Sequence, residues 1–196
     1  MTRPSIAIRS AASHEMPATI ATIVAAFLTD PPARFAWSSA HEYLRAMPLA
    51  TGKFVGCCFE HGSAYVSADL CGAALWLPPG VGPDGEAVEK VFRDTAKREH
   101  LDDLLATFEK MAQSHPGEEH WYLAQIGVDP NAQGRGVGAA LMAHAVARCD
   151  QERALAYLEA SKQDNVAFYQ RYGFEVTGRI QVGAAPAVVP MVRRPR

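Results

Sequence analysis

AQIGVDPNAQGRGVGAALM, residues 124–142, is the stretch of this 196-residue chain that decides its fold. A strand-like apolar run ends at Val128, the sequence Asp129-Pro130-Asn131 turns the chain, and three glycines precede a helix-forming run. The first N–H groups of a helix have no acceptor within the helix, and the helix dipole is positive there. Glycines leave those groups accessible because they carry no Cβ. The stretch therefore predicts a strand, a loop and a helix N-terminus suited to a phosphate or pyrophosphate.

The same glycine loop admits other interpretations. A glycine-rich turn without a ligand is the simplest, and a P-loop is excluded because the chain has no G-x-x-x-x-G-K-[ST] sequence. Gly134, Gly136 and Ala139 match the dinucleotide-binding pattern G-x-G-x-x-A, with Glu159 about 20 residues further on, as that pattern requires. Two features oppose that match. The residues DPNAQ separate the strand from the first glycine, and too few residues follow Ala139 to complete such a sheet.

Composition and charge exclude several classes of protein. Lys and Arg total 19 against 21 Asp and Glu, a net charge of −2 that provides no basic surface for nucleic acid or an acidic membrane. No apolar run approaches the ~18–20 residues that cross a bilayer, and the N-terminal residues lack the apolar core of a signal peptide. No His or Cys pattern has metal-ligand spacing, so no metal is expected. The four cysteines form no C-x-x-C pair, so we expect reduced thiols in the cytoplasm: Cys57, Cys58, Cys71 and Cys149.

Hydrophobic periodicity predicts strands and helices in a mixed order, typical of an α/β fold. Pro31 and Pro32 stop the first helix. A helix capped by Ser38 or Ser39 would end at Met47, and Pro48 would begin another that ends at His61, with a strand over residues 54–59 as the alternative. The other expected helices are 15–28, 86–96, 101–113, 138–149 and 165–172, and the expected strands are 6–9, 64–68, 73–77, 121–128, 155–160, 174–180 and 187–192.

A second informative block is LEASKQDNVAFYQRYGFEVTG, residues 158–178. It contains a strand, then Asn165 at the start of a short helix, then Tyr169 within it, and a Tyr-Gly-Phe sequence that enters the next strand. Together the two blocks resemble the GNAT superfamily of N-acetyltransferases, whose acyl-CoA loop has the pattern [QR]-x-x-G-x-[GA]. AFLTDPPARFAW (26–37), GAALWLPPG (72–80), HWYLAQIGVDP (120–130) and the C-terminal half further resemble the puromycin N-acetyltransferase-like branch.

The resemblance implies one N-acetyltransferase domain over residues 1–196. Its central sheet would be mostly antiparallel, with six to seven strands flanked by helices. A bulge in the strand 123–128 would splay it from the strand 155–160 and open a V-shaped gap. Exposed sheet edges in such folds allow a homodimer.

The resemblance also implies acetyl-CoA as the co-substrate, without a metal. Its pantetheine arm would pair with the backbone around Ile126, Gly127 and Val128, and the Val128 N–H would polarise the thioester carbonyl. Asn165 would either cap its helix or bind the same arm. The charge of Arg135 would either contact the pyrophosphate of the cofactor or simply be solvated. The pyrophosphate would lie on the glycine loop, whose candidate residues are Gln133, Gly134, Arg135, Gly136, Val137, Gly138 and Ala139.

Tyr169 is the candidate general acid, since a phenol with a pKa of ~10 can protonate a departing thiolate. The alternative is that Tyr169 packs in the core with Phe168, Tyr172 and Phe174. On a helix Phe168 and Tyr172 share a face, and Tyr169 points about 100° away from it. That spacing favours a position outside the core for Tyr169.

The candidate general bases are Glu119 and His120 before the central strand, and Glu159 on its neighbour. A substrate ammonium with a pKa near ~10 must lose a proton before it attacks. His120 could act as the base directly or through a water molecule, but it could equally be a strand-edge histidine bonded to backbone. Glu159 could instead be a core-edge carboxylate paired with an arginine or a tyrosine. A chain of water molecules without a dedicated base is a further alternative.

The acceptor that the resemblance implies is the primary amine of a small molecule. Asp30, Arg34 and Trp37 would line its pocket, although Trp37 also fits a plain core position. A protein or peptide acceptor is one alternative function, and a non-catalytic acyl-CoA-binding module is another. A basic peptide would need an acidic groove, whereas the acidic residues of this chain are dispersed.

Overall fold

The computed structural model describes residues 6–196, through which a seven-stranded sheet runs in the order β1-β2-β3-β4-β5-β7-β6. Its strands are β1 (Ile8–Ser10), β2 (Ala64–Ser67), β3 (Gly72–Leu77), β4 (His120–Val128), β5 (Leu155–Ala160), β6 (Glu175–Val176) and β7 (Val189–Arg193). Neighbouring strands are antiparallel except β4 and β5, which are parallel. The predicted mixed α/β fold with a mostly antiparallel sheet is confirmed.

Helices cover both faces of this sheet. Side chains alternate between the two faces of a strand. On β3, Ala73, Leu75 and Leu77 pack in one core with α1 to α5, and Ala74 and Trp76 pack in a second core with α6 and α7. The sheet therefore separates two helical layers. The helices are α1 (Met16–Ala26), α2 (Pro31–Ala36), α3 (Ala40–Val55), α4 (Gly85–Thr95), α5 (Leu101–Ser114), α6 (Val137–Gln151) and α7 (Val166–Gln170).

The two parallel strands separate halfway along their length. Residues His120 to Leu123 of β4 pair with Leu155 to Leu158 of β5, and the rest of β4 has no partner there. On its other side, Leu75 of β3 pairs with Gln125 and the next residue pairs with Leu123, so Ala124 is an extra, bulged residue. A bulge bends its strand and increases the local twist. The predicted bulge and splay are therefore present in the structure.

Helix α1 packs against the part of β4 that does not pair with β5. A Cβ added at Gly127 would lie 2.5 Å from the Ala26 Cβ and 3.3 Å from the Ile23 side chain. Any larger residue at this position would force the helix and the strand apart. Gly127 thus lets α1 pack closely on the strand at the gap.

The segment around Pro48 differs from the prediction. Ser39 caps α3 as expected, and Glu42 completes a capping box, but the helix continues through Pro48 to Val55 as one element. A proline removes the hydrogen bond to the carbonyl four residues earlier. That residue, Leu44, is 58% exposed, so water can hydrate its carbonyl. Neither a helix to His61 nor a strand over 54–59 forms, because a 3₁₀ turn at Gly56–Phe59 follows.

Other boundaries are also corrected. Helix α1 ends at Ala26, before the turn that leads to Pro31, so the two prolines do not stop it. They instead begin the short helix α2, which Asp30 caps and which was not predicted. The strand expected over 174–180 is reduced to Glu175–Val176 and an isolated bridge between Ile180 and Val188. None of the helices described is long and apolar enough to cross a bilayer.

Candidate active site

A cavity of about 730 Å³ lies where β4 and β5 separate. On one face of the sheet its wall includes the glycine loop, the first residues of α6, and α7. On the other face its wall includes side chains of α1 to α5. The cavity therefore passes through the gap in the sheet and reaches both helical layers. Backbone of β4 from Ile126 to Val128 forms part of the wall.

The glycine loop presents bare backbone to this cavity. Gly134 and Gly136 have φ angles of +74° and +94°, a region that other residues adopt only with strain. Gly136 is the N-cap of α6 and no side chain caps the helix. The first helical hydrogen bond runs from Ala140 N–H to the Gly136 carbonyl, so Val137, Gly138 and Ala139 have N–H groups without a helical acceptor. These features fit a phosphate group on the helix N-terminus.

Of the two long polar side chains in the glycine loop, Gln133 lies at the cavity and Arg135 lies outside it. The Gln133 side-chain amide donates to the Val128 carbonyl at 3.2 Å and ties the loop to the end of β4. Arg135 is exposed and lines a neighbouring pocket with Asp69 and Asp129 rather than the cavity. The structure thus brings Gln133, but not Arg135, to the wall of the main cavity.

Tyr169 lies in the cavity wall, but the predicted orientation of its helix was wrong. Phe168 and Tyr172 do share a face, with ring centroids 5.3 Å apart, yet that face is only half-buried against α6. The Tyr172 hydroxyl donates to the Ala139 carbonyl there. Val166 and Tyr169, three residues apart, form the buried face instead. Burial, and secondarily the nearby Asp30, raise the pKa of Tyr169 well above its ordinary value, so the phenol is protonated at neutral pH.

Asn165 precedes α7 and also lines the cavity. Its backbone is in a helical conformation and its side chain makes no capping hydrogen bond. Of the two predicted roles for Asn165, the structure therefore does not provide the cap.

Glu159 is the carboxylate that the structure places at the gap. It follows Leu158, where the β4–β5 pairing ends, and its side chain is only 2% exposed. Its Oε1 atom has no hydrogen-bond partner in the described part of the chain. Burial raises the pKa of Glu159 to about 7, and the nearby hydroxyls of Tyr122 and Tyr157 oppose that rise. A carboxyl with such a pKa can exchange protons near neutral pH.

The other two candidate bases do not line the cavity. Glu119 is exposed on the approach to β4. His120 is partly exposed, and its Nε2 lies 2.9 Å from Nδ1 of His115. His115 in turn places Nε2 3.6 Å from Glu159 Oε1. Sequence reasoning set His115 aside because it lacked metal-ligand spacing, and no local pattern would have revealed its contact with Glu159.

Of the three residues predicted to line the pocket for the acceptor amine, two line the cavity and one does not. Trp37 is buried in the cavity wall, stacks on Phe92 with centroids 4.9 Å apart, and donates from Nε1 to the Thr95 hydroxyl. Asp30 also lines the cavity, but it caps α2 and accepts a hydrogen bond from the Ser161 hydroxyl. Arg34 is not in the wall, and its guanidinium lies 5.3 Å from the Tyr43 ring.

Beyond Trp37, the part of the cavity under α3 to α5 is apolar. The periodicity of these helices identified the residues as buried, but it gave no sign that they enclose a cavity. The apolar wall residues are Met47, Phe54, Val88, Phe92, Leu104, Phe108 and Met111.

The splayed parallel pair, and the cavity through the sheet, are the features that the acyltransferase resemblance predicted. The family model of the acetyltransferase (GNAT) family matches residues 24–174, and the chain belongs to this family. An uncharacterised N-acetyltransferase of Schizosaccharomyces pombe is 28% identical over 199 aligned residues, which cover 89% of this chain and 78% of that protein.

Two solved structures extend the comparison. A histone acetyltransferase HPA2 and related acetyltransferase from Corynebacterium glutamicum is 25% identical, with a TM-score of 0.69 and coverage of 98% of this chain and 97% of that one. Arylalkylamine N-acetyltransferase 2 from Aedes aegypti is 12% identical, with a TM-score of 0.66 and coverage of 97% and 99%. The second similarity is one of fold.

Proposed function

We propose that this protein transfers an acetyl group from acetyl-CoA to the primary amine of a small molecule, by direct attack in a ternary complex. One observation carries the proposal: the cavity joins an uncapped helix N-terminus on one face of the sheet to an apolar chamber on the other. Glu159 and Tyr169 both line that cavity. Such a passage suits two substrates that meet at the gap.

The residues on the first face fit acetyl-CoA. Unpaired backbone of β4 beyond Leu123 can accept an extended chain as an added strand, and Ile126, Gly127 and Val128 would hold the pantetheine arm. The N–H groups at the start of α6 would hold the pyrophosphate, with Gln133 fixing the loop and Asn165 near the arm. Acetyl-CoA would supply the activated acetyl thioester.

The chamber on the second face suits an amine attached to an apolar body. Its wall is formed mainly by aromatic and aliphatic side chains, such as Trp37, Phe54 and Phe108. The only acidic residues among the described lining residues are Asp30 and Glu159. Asp30 already accepts two hydrogen bonds, so Glu159 is the carboxylate available to an ammonium group. A polycation or a basic peptide would find few further partners there.

Glu159 and Tyr169 would divide the proton chemistry. Glu159 takes a proton from the substrate ammonium, because its pKa of about 7 leaves much of it ionised at neutral pH. Tyr169 holds a phenolic proton at the same wall for the departing thiolate. Two titratable groups with separated roles are typical of acid–base catalysis.

Other expectations remain part of the proposal. We propose that residues 1–196 act as one cytoplasmic domain that needs no metal and binds neither nucleic acid nor a membrane. The sequence resemblance favours the puromycin N-acetyltransferase-like branch. The edges of the sheet, β1 and β6, offer surfaces for a homodimer.

The test is release of free thiol from acetyl-CoA with a panel of amines. The panel contains 2-phenylethylamine as an apolar amine, spermidine as a polycation and an unacetylated lysine peptide. We expect the highest kcat/KM with 2-phenylethylamine. Turnover restricted to the peptide would overturn the small-molecule acceptor. Calorimetric CoA binding without turnover of any amine would instead indicate a non-catalytic acyl-CoA-binding protein.

A further inference from the structure

Three side chains form a line from the cavity towards the protein surface. Glu159 lies in the cavity wall, with its Oε1 atom 3.6 Å from His115 Nε2. His115 Nδ1 lies 2.9 Å from His120 Nε2, and His120 Nδ1 lies 2.8 Å from the backbone carbonyl of Glu118. No atom in this line belongs to the glycine loop or to α6. The line therefore leaves the cavity by a route separate from the helix N-terminus.

The last contact sets the direction of every hydrogen bond in the line. A carbonyl oxygen can only accept, so His120 must carry its proton on Nδ1. In a neutral His120 ring, Nε2 is then an acceptor, and the His115 Nδ1–H must donate to it. A neutral His115 consequently directs the lone pair of Nε2 at Glu159. Once His115 Nε2 and Glu159 Oε1 move from 3.6 Å to hydrogen-bond distance, the line can receive a proton from Glu159.

Exposure to solvent increases along the same line. The Glu159 side chain is 2% exposed and the His115 side chain is 28% exposed. The His115 ring is packed between aromatic rings, at 4.7 Å from Tyr122 and 4.4 Å from Tyr157. Burial lowers the pKa of His115 to about 4, which keeps the resting ring neutral. A substrate in the cavity would cover Glu159 from the other side, so its proton needs an exit through the protein.

We propose that His115 and His120 form a proton exit that connects Glu159 to bulk water. This inference rests on the proposed function, because it takes Glu159 as the group that deprotonates the acceptor amine. Neither histidine lines the cavity, so both would act through Glu159.

In each turnover one proton moves from the substrate ammonium along this line. An N–H bond of the ammonium breaks and an O–H bond forms on Glu159. That proton passes to Nε2 of His115, while the Nδ1 proton of His115 passes to Nε2 of His120. His120 then releases its Nδ1 proton to water as the bond to the Glu118 carbonyl breaks, which leaves both rings neutral and protonated on Nε2. Each partly exposed ring next gives its Nε2 proton to water and takes one up on Nδ1, an exchange without net change that restores the starting tautomers. One proton leaves the substrate and one enters bulk water.

The kinetic test replaces each of the two histidines in turn. His115→Phe keeps an aromatic ring between Tyr122 and Tyr157, and His120→Phe removes the second link. We expect each variant to lower kcat by about tenfold with little change in KM, below the ~100-fold or more of a direct acid–base group. Because a line needs to be broken only once, the double variant should be no slower than either single variant. Free imidazole in the buffer should restore part of the lost kcat.

A matched control is His144→Phe, since His144 is an exposed residue of α6 that lies against Tyr65 and outside the cavity. We expect its kcat to equal that of the unmodified protein. Losses that multiply in the double variant, or a kcat unchanged in both single variants, would overturn the proposal. Thermal unfolding of each variant identifies any loss caused by misfolding, and His115→Gln replaces His115→Phe in that case.

A second measurement does not depend on turnover. Long-range ¹H–¹⁵N spectra of the imidazole rings should show the Nδ1-protonated tautomer for the neutral form of both His115 and His120. A proton on Nε2 of neutral His115 would overturn the proposed direction of transfer. If the protein shows no turnover while the spectra show the expected tautomers, the proposed function fails and the line of hydrogen bonds stands.

Discussion

The replacement Glu159→Gln tests the candidate base most directly. The amide keeps the shape of the carboxyl group but cannot take a proton from an ammonium group. We expect kcat/KM to fall by about 100-fold to 10,000-fold, which corresponds to ~3–5 kcal/mol of transition-state stabilisation. The assay is thiol release at saturating acetyl-CoA and varied 2-phenylethylamine, measured from pH 5 to pH 9.

The pH dependence follows from the surroundings of Glu159. The groups that face it are the hydroxyls of Tyr122 on β4 and Tyr157 on β5, and the ring of His115 before β4. Activity of the unmodified protein should rise as the pH increases through about 7, because only the ionised carboxylate accepts a proton. Glu159→Gln should lose this rise.

The same substitution has an opposite effect on stability. The folded state raises the pKa of Glu159 from its ordinary value near 4.5 to about 7. Folding therefore favours the protonated form, and the protein loses stability as the pH rises from about 4.5 to 7. The free energy of unfolding at pH 8 is lower by about 3 kcal/mol than at pH 4 on account of Glu159, since each pKa unit corresponds to about 1.4 kcal/mol. Denaturant unfolding should show Glu159→Gln stabilised at pH 8 by up to this amount, with no gain at pH 4.

Glu175→Gln, an exposed substitution on β6, is the matched control for both measurements. If Glu159→Gln keeps kcat/KM within threefold of the unmodified protein, Glu159 is not the base. If its stability relative to the unmodified protein does not change with pH, the pKa argument is wrong.

Three further substitutions test other parts of the site. Tyr169→Phe should lower kcat at least tenfold while CoA affinity stays constant by calorimetry, since the hydroxyl serves the leaving group; an unchanged kcat would remove Tyr169 as the acid. Gly136→Ala should weaken CoA binding about tenfold in the same calorimeter, because φ is +94° and an L-residue there costs ~1–2 kcal/mol; equal affinity would contradict the loop placement. Gly127→Val should lower the unfolding free energy by ~1–3 kcal/mol in urea, since its side chain meets Ala26; an unchanged urea midpoint would refute that packing.

The sequence allowed the glycine loop to be predicted because its signal is local. Gly134 and Gly136 have the positive φ angles that their spacing before a helix suggests. In the same way, Ser39 caps α3, as its sequence predicted. The boundaries of α3 were harder to predict. A proline within a helix is commonest at the first position, which favoured a new helix at Pro48. The exposure of Leu44, which makes Pro48 tolerable inside α3, depends on tertiary packing.

The site itself could be predicted only in part. Tyr169 stood out because a family resemblance and a strand–helix pattern marked it, whereas Glu159 was one of three candidate bases. The orientation of Tyr169 was wrong because α7 has only five residues, too few for its own periodicity to show which face is buried. The contact between His115 and Glu159 joins residues far apart in sequence, and it arises from the parallel pairing of β4 and β5. No local pattern encodes such a contact.

The short pairing between β4 and β5 has a mechanical consequence. Only four residue pairs, from His120–Leu155 to Leu123–Leu158, join the half of the sheet that contains β1 to β4 to the half that contains β5 to β7. The two halves are therefore joined by few backbone hydrogen bonds. A molecule bound in the gap between β4 and β5 would add hydrogen bonds to the unpaired part of β4. Amide hydrogen exchange in residues 125–128 should consequently slow when it binds, and the whole sheet should become stiffer.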